Sequence, residues 1–414
     1  MQLIEFQKDI RPSTTKLLLG ILQTILFVVF IFSKPLRVID SLLVANFLVL
    51  IPSLYFMFIN TKKFDELVSP LLYKRALLIQ LCMHLCIFTF WGFFSSAVAK
   101  HFPLIIHQIA YVYLFYFVCC MLFNRPFVMS LSLIPMIFSI NLFMWFYNDY
   151  FLFQYVLISL AILAKMFLTR EVNGKRSHIF NPSAIVLMVV TVVVLALPNK
   201  DLVYGPQIGS MWLGLPHFDA FIFLLACITL WTPNRYLISI GAVGLIILGD
   251  WYAETYLGMR LFAELARGSV LLGCTLLITD PATSPENKYG QLLFGIAYGL
   301  SISIAFTIFS AMGWNTYYDK LFFVCLLNFF SPQFEKWGQS IQEKLAQFKS
   351  LSFLSIVESR KFLLIVYFVF IWNCYARLEK PTQAPFLMSL NSLMELPSFN
   401  PKKPPYQNPC QAMK

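Results

Sequence analysis

Two short stretches stand out in the sequence: His178-Ile179-Phe180-Asn181-Pro182-Ser183-Ala184 and, about a hundred residues later, Ile278-Thr279-Asp280-Pro281-Ala282-Thr283-Ser284-Pro285. We refer to residues 178–184 as the Asn-Pro segment and to residues 278–285 as the Asp-Pro segment. Each places an Asn or Asp directly before a proline, at the edge of a long apolar run. Such side chains cap the free N–H groups of a helix start, and proline is tolerated at the first helical position. Both segments are therefore predicted to be capped helix starts, which can hold an anionic or carbonyl-rich ligand.

The composition identifies the class of protein. The chain is 59% hydrophobic and 12% charged, with 43 Phe and a mean hydropathy of +0.72, whereas soluble domains are about 25% charged. Crossing the hydrocarbon core takes about 20 apolar residues in a helix. The sequence therefore predicts an all-α, polytopic membrane protein with about 12–13 helical segments. The candidate spans are 15–33, 41–59, 76–98, 103–123, 126–147, 150–168, 183–199, 218–232, 235–250, 265–279, 289–312, 318–331 and 361–376.

The runs divide the chain into four parts. Residues 1–168 are predicted to be an N-terminal transmembrane half, and residues 169–312 a second transmembrane half that carries both segments. Residues 313–379 contain the last span and a predicted amphipathic surface helix, and residues 380–414 form a Pro-rich tail predicted to be disordered. The amphipathic helix has apolar residues at helical spacing, namely Phe334, Trp337, Ile341, Leu345 and Phe348.

Lys and Arg give the predicted orientation. Most of them lie before the first run or in alternate loops, as with Lys62, Lys63 and Lys74 after the second run and Arg235 after the eighth. Positive loops stay on the cytoplasmic side, so the N-terminus and both segments are predicted to be cytoplasmic. The net charge of +11 is then a topology signal, and nucleic-acid binding is not expected. No cleavable signal peptide is expected either.

Several other polar residues could bind a ligand, but their positions also have structural explanations. Arg170, Lys175, Arg176 and His178 could bind a phosphate, or the basic ones could serve only to set the topology. Lys165 can extend its ammonium to the membrane interface. The stretch Cys82-Met83-His84-Leu85-Cys86 has metal-like spacing, but on a helix His84 points away from the two cysteines, so packing is favoured and no metal site is predicted.

The two segments resemble landmarks of a known family, the NqrB and RnfD membrane subunits of the sodium-pumping quinone reductase and the Rnf electron-transport complexes. The Asp-Pro segment is followed, as in that family, by a glycine-spaced helix with Gly290, Gly295 and Gly299. These glycines are predicted to allow close packing within the chain. Tyr204-Gly205-Pro206 makes the chain most similar to the RnfD-like UnbU proteins. The resemblance covers about residues 150–312.

The resemblance implies a urea/ammonium-transporter-like inverted repeat with broken helices that meet at a ligand site. It also implies a bacterial inner-membrane protein that works with other redox subunits. Family members carry flavin, but the S-G-A-T motif of covalent FMN is absent from this sequence. Non-covalent FMN, riboflavin or a quinone is the cofactor expected instead. The candidate cofactor-binding residues are His178, Asn181, Pro182, Thr279, Asp280, Pro281, Thr283 and Ser284.

Three functions stay open from the sequence. The first is a redox subunit that passes electrons across the membrane on a flavin or quinone. The second is a transporter or channel for a small solute or ion on the same fold. The third is a non-catalytic membrane partner in a biosynthetic assembly, as in the UnbU resemblance. No catalytic nucleophile arrangement, P-loop or dinucleotide fingerprint is present in the sequence, so no catalytic residue is assigned.

Overall fold

A computed structural model describes residues 5–8, 12–33, 36–172, 175–197, 202–213, 218–231, 233–257 and 267–346, together with residues 364, 365, 367 and 369. The Pro-rich tail, and most of the run predicted at 361–376, lie outside the described residues. Within them the chain is mostly helical. The α-helices are α1 (Pro12–Phe32), α2 (Leu36–Leu54), α3 (Thr61–Leu67), α4 (Arg75–Phe94), α5 (Ser96–Leu122), α6 (Leu133–Phe143), α7 (Leu152–Phe167), α8 (Pro182–Ala196), α9 (Gly205–Leu213), α10 (Phe218–Trp231), α11 (Tyr236–Leu257), α12 (Arg267–Leu272), α13 (Lys288–Ala311) and α14 (Asp319–Ala346).

Five helical stretches in the described part of the chain are long and apolar enough to cross a membrane: Ser13–Phe32, Val38–Ile59, Leu77–Phe94, Ser96–Leu122 and Lys288–Ala311. Six shorter apolar helices accompany them. These eleven stretches coincide, in order, with the first eleven apolar runs of the sequence, which confirms a multi-pass membrane protein. The long exposed apolar surfaces of α1 and α2, which include Phe32 and Phe47, are suited to contact with lipid.

The end of the described chain differs from the prediction. The twelfth run and the predicted surface helix form one continuous helix, α14, with Pro332 inside it. Phe334 is only 8% exposed, and its ring packs edge-to-face against Phe294 of α13, with centroids 5.4 Å apart. Gly338 lies against the start of α13, where a Cβ would collide with the Gly290 backbone. The first residue of the predicted apolar stripe therefore contacts α13, whereas Trp337 is 49% exposed. Phe348 lies outside the described residues.

The described residues contain five short strands, which the all-helical prediction did not anticipate. β1 (Glu5–Lys8) pairs antiparallel with β2 (Val68–Lys74), and β2 pairs parallel with β3 (Phe127–Ser130). β4 (Thr169–Val172) and β5 (Lys175–His178) form a hairpin with Thr169 opposite His178. The hairpin satisfies the backbone groups of the connection between α7 and α8, where polar residues interrupt the apolar pattern of a helix.

The packing of α11, α13 and α14 forms the centre of the second half. A Cβ on Gly295 would collide with the backbone of Ile238, and one on Gly299 would lie 2.5 Å from the carbonyl oxygen of Ala242. The absence of side chains at these positions therefore lets α11 and α13 come into backbone contact. This confirms the prediction that the glycines serve packing within the chain.

Two apolar helices change to π-helical geometry. α2 continues into a π-helix at Tyr55–Ile59, and α12 continues into one at Gly273–Leu277. The second π-helix leads directly into the Asp-Pro segment. Such insertions are frequent at functional sites, and this one determines where the Asp-Pro segment lies.

Candidate functional site

The Asn-Pro segment is a capped helix start, as predicted. Pro182 is the first residue of α8, and the Asn181 side-chain oxygen accepts hydrogen bonds from the backbone N–H groups of Ser183 (3.0 Å) and Ala184 (3.4 Å). The Ser183 hydroxyl donates to the same oxygen at 2.7 Å. Asn181 thus fixes the direction in which α8 leaves the β4–β5 hairpin.

The Asp-Pro segment is a turn, so its prediction as a helix start was wrong. The Asp280 carbonyl accepts from the N–H groups of Thr283 (3.2 Å) and Ser284 (3.1 Å), and its carboxylate accepts from Ala282 N–H (3.2 Å). Helix α13 begins only at Lys288, where Asn287 is the capping residue. Pro285 explains the difference, because it lacks an N–H and disfavours helical geometry at the residue before it.

Hydrogen bonds link each segment to the residue that directly precedes the other. The Asn181 side-chain amide donates to the Leu277 carbonyl at 3.4 Å, and the Ser177 hydroxyl donates to the Ala282 carbonyl at 2.9 Å. The Asn181 backbone N–H donates to the Asn328 side chain of α14 at 3.2 Å. Asn181 is therefore held between Leu277, at the end of the π-helix, and Asn328 of α14.

A cavity of about 190 Å³ lies between the segments. Six of the eight residues predicted as cofactor ligands line it: His178, Asn181, Pro182, Thr279, Asp280 and Pro281. The structure therefore brings both segments to one recess, which we call the segment cavity. A ligand role for these residues is a prediction.

Thr283 and Ser284, the other two predicted residues, do not line the cavity. They are 1% and 7% exposed and hold the turn together. Thr283 donates to the Asp280 carboxylate at 3.1 Å, and Ser284 donates to the Asp280 carbonyl at 2.8 Å. Arg235 adds a bond from its Nε to the Ser284 hydroxyl at 3.1 Å and one to the Pro281 carbonyl at 3.4 Å. Arg235 had been interpreted from sequence only as a topology signal.

The opposite wall comes from the N-terminal half and was missed from sequence. The cavity is lined on this side by Gln80 and His84 of α4 and by Lys165 of α7. Ser139 of α6 and Ser132, which directly precedes α6, complete the wall. His84 Nε2 lies 3.1 Å from the Ser139 hydroxyl. The i,i+4 spacing of Gln80 and His84 in an apolar run was a usable signal, because it places two polar groups on one helix face.

Lys165 is the most consequential of these residues. Its Nζ donates a hydrogen bond to the Ser132 hydroxyl at 2.6 Å, and it interacts electrostatically with Asp280 of the opposite segment. The side chain lines the segment cavity, a position that the sequence did not predict.

His178 is neutral near pH 7 in this setting. Burial lowers the pKa of His178 below its ordinary value of 6.5, the positive charge of Lys165 lowers it further, and the Asp280 carboxylate opposes both effects. Its Nδ1 atom is buried and has no hydrogen-bond partner among the described residues.

The phosphate-binding prediction gains little from the structure. Arg170 is not among the residues that line the segment cavity. The side chains of Lys175 and Arg176 lie outside the described part of the structure. Phosphate binding by these residues therefore stays a prediction.

The donor set fits a planar ring that carries carbonyl oxygens. Polar groups come from Lys165, His178 and the hydroxyls of Ser132 and Thr275. Apolar surface comes from Met83, Met136, Leu276 and four prolines, namely Pro135, Pro182, Pro233 and Pro281. A few polar groups in a mostly apolar recess are typical of small-molecule and cofactor sites. Flavin and quinone rings have this chemistry.

A second group of charges lies away from the cavity. Lys320 Nζ is 3.1 Å from the Asp319 carboxylate, both side chains are fully buried, and Lys320 also donates to the Ser269 hydroxyl at 2.9 Å. Lys320 and Asn328 are on the same helix, about 12 Å apart along its axis. The sequence interpretation did not single out this pair, although adjacent charges at the start of an apolar run were a visible signal.

Comparison with known proteins gives one match. The profile of the NQR2, RnfD, RnfE family matches residues 218–342, which is less than a third of the 414 residues. The matched region runs from α10 into α14 and contains Arg235, the Asp-Pro segment and the buried Asp319–Lys320 pair. No curated protein matches the chain, and no solved structure does.

Proposed function

We propose that this chain is an integral membrane subunit of the NQR2, RnfD, RnfE type that holds a flavin or quinone ring non-covalently in the segment cavity. Its function is then to pass electrons between the two sides of the bilayer. One observation carries the proposal: two separate motifs, which resemble the landmarks of that family, line the same cavity. The family match over residues 218–342 supports it independently.

The residues of this chain provide binding and shielding. A flavin or quinone, when bound, supplies the ability to accept and release electrons. Asn181 and His178 present an amide and an imidazole to ring carbonyls and nitrogens. Asp280, fixed by Thr283 and the Ala282 N–H, keeps the Asp-Pro turn in the shape that closes the other side. Pro182 and Pro281 add apolar surface that excludes water from the ring.

Several finer features belong to this proposal. The N-terminus and both segments face the cytoplasm, in accordance with the Lys and Arg distribution. The chain acts with other redox subunits in a bacterial inner membrane, and its resemblance to the UnbU proteins supports the proposal that it is an RnfD-like member of the family. The inverted repeat of urea- and ammonium-transporter-like folds is the symmetry that we expect to relate its two halves.

Purification in mild detergent tests the proposal. The expected result is a flavin absorbance spectrum, or a quinone released on extraction and identified by mass spectrometry. Asp280→Ala should weaken retention of the ring, because it removes the carboxylate that organises the turn. A folded, monodisperse preparation that contains neither flavin nor quinone would contradict the proposal.

A further inference from the structure

Lys165 is an isolated cation in the segment cavity. Among the described residues that line this cavity it is the single Lys or Arg, and Asp280 is the single carboxylate. Lys165 lies in the last turn of α7, a helix whose other residues carry no charge. A Lys ammonium inside a membrane protein is costly, so its position calls for a binding partner or a functional role.

The hydrogen bonds of Lys165 are incomplete. An ammonium group has three donors, and the structure gives it one side-chain acceptor, the Ser132 hydroxyl at 2.6 Å. Within the described residues no carboxylate lies within 4.0 Å of its Nζ. The buried ion pair of Asp319 with Lys320 lies away from the cavity. Asp280 interacts with Lys165 only at longer range. The ammonium therefore retains donors for a ligand in the cavity.

The other polar groups of the site cannot provide the same charge. Arg235 is bound to Ser284 and Pro281 and does not line the cavity. His178 is held neutral by burial and by Lys165, which lower its pKa. Asp280 has the opposite sign. Lys165 is therefore the group that can respond to negative charge on a bound ring.

From this geometry we infer that Lys165 donates to a carbonyl oxygen of the bound ring and favours the reduced, negatively charged form over the neutral oxidised form. The inference rests on the proposed function. A neutral flavin or quinone that gains two electrons and one proton carries one negative charge. A cation beside it binds that form more tightly, and differential affinity for two forms shifts the equilibrium between them. The consequence is a higher midpoint potential for the bound ring.

The test compares redox titrations of purified variants with dithionite as the reductant. Lys165→Met removes the charge and keeps the length of the side chain, and Lys165→Arg keeps the charge. Lys336→Met removes an exposed cation of α14 that does not line the cavity, and serves as the matched control. Mass spectrometry of the released molecule identifies the ring as a flavin or a quinone.

Lys165→Met should weaken the preference for the reduced form at least tenfold, which for a two-electron couple lowers the midpoint potential by about 30 mV. Lys165→Arg and Lys336→Met should stay close to the wild-type potential. If Lys165→Met and Lys165→Gln lose the ring while Lys165→Arg retains it, the inference is also supported. Equal loss in Lys165→Arg would assign the residue a purely structural role and overturn it.

The two proposals fail in different ways. A wild-type protein without any ring removes the proposed function and the inference together. A wild-type protein with a ring, whose potential is unchanged in folded Lys165→Met, removes the inference alone. Folding of each variant is checked by its elution profile and its thermal unfolding temperature.

Discussion

The Ser177 hydroxyl donates a hydrogen bond to the Ala282 carbonyl at 2.9 Å, although 105 residues separate them in the chain. This bond joins the β4–β5 hairpin to the Asp-Pro turn on one side of the segment cavity. Nearby, Asn181 contacts Leu277 and Asn328. The wall of the cavity is thus built from hydrogen bonds that bridge distant parts of the sequence, so single changes there should affect binding as well as stability.

Replacement of Asn181 by Ala should reduce both stability and ring retention. The change removes the cap of α8, which costs about 1 kcal/mol, and also the amide that bonds to Leu277. Asn287→Ala is the matched control, because Asn287 caps α13 through Tyr289 and Gly290 N–H groups and does not line the cavity. Thermal unfolding and flavin or quinone content should show similar destabilisation in both variants and ring loss only in Asn181→Ala. Equal ring content in the two would count against Asn181 as a ligand residue.

Loss of one member of the buried pair Asp319–Lys320 should destabilise the protein, whereas replacement of both by apolar residues should be tolerated. The Asp319 carboxylate is fully buried, and the Lys320 ammonium 3.1 Å away provides its main compensation. Lys320→Met should therefore cost about 3–5 kcal/mol, while the double variant Asp319→Leu/Lys320→Met should recover most of this loss. Thermal unfolding in detergent measures both effects. A double variant as unstable as the single one would indicate a role for the charges beyond mutual compensation.

The glycines of α13 should not tolerate even a methyl group. Gly295→Ala places a Cβ against the backbone of Ile238, which cannot rotate away as a side chain could, and overpacking of this kind costs about 1–3 kcal/mol. Gly20→Ala in α1 is the control, since nothing lies within 4 Å of the added Cβ and Ala favours helix more than Gly does. The unfolding temperature should fall for Gly295→Ala and stay level or rise for Gly20→Ala.

His178 should make stability depend on pH in the acidic range. The pKa of His178 in the folded protein is below the ordinary 6.5. Just below pH 6.5 the unfolded chain therefore binds a proton at His178 that the folded protein does not bind. Stability is therefore fully present above about pH 6.5 and is lost as the pH falls below that value. His178→Gln should show a smaller loss between pH 7 and pH 5 than the wild type, measured by thermal unfolding. Identical pH profiles would show that His178 does not contribute.

The eleven matching apolar stretches and the Asn181 cap could be predicted because they depend on local sequence. Hydropathy over about 20 residues identifies a candidate span, and an Asn-Pro pair before an apolar run identifies a cap. The Asp-Pro segment has the same local pattern, an Asx residue before a proline, but it forms a turn because Pro285 prevents a helix from starting there. The continuity of α14 was missed for a related reason, since the change from apolar to amphipathic composition was taken as a boundary.

The sequence by itself determined that this is a helical, multi-pass membrane protein with two Asx-Pro motifs and close-packing glycines. Only the tertiary structure decided that the two motifs line one cavity and that Lys165 belongs to it. The physical reason is that composition and periodicity fix which residues are helical and which face of a helix is apolar. Packing between parts of the chain that are up to a hundred residues apart decides which helix faces meet among α4, α6, α7 and α8. No local sequence pattern contains that information.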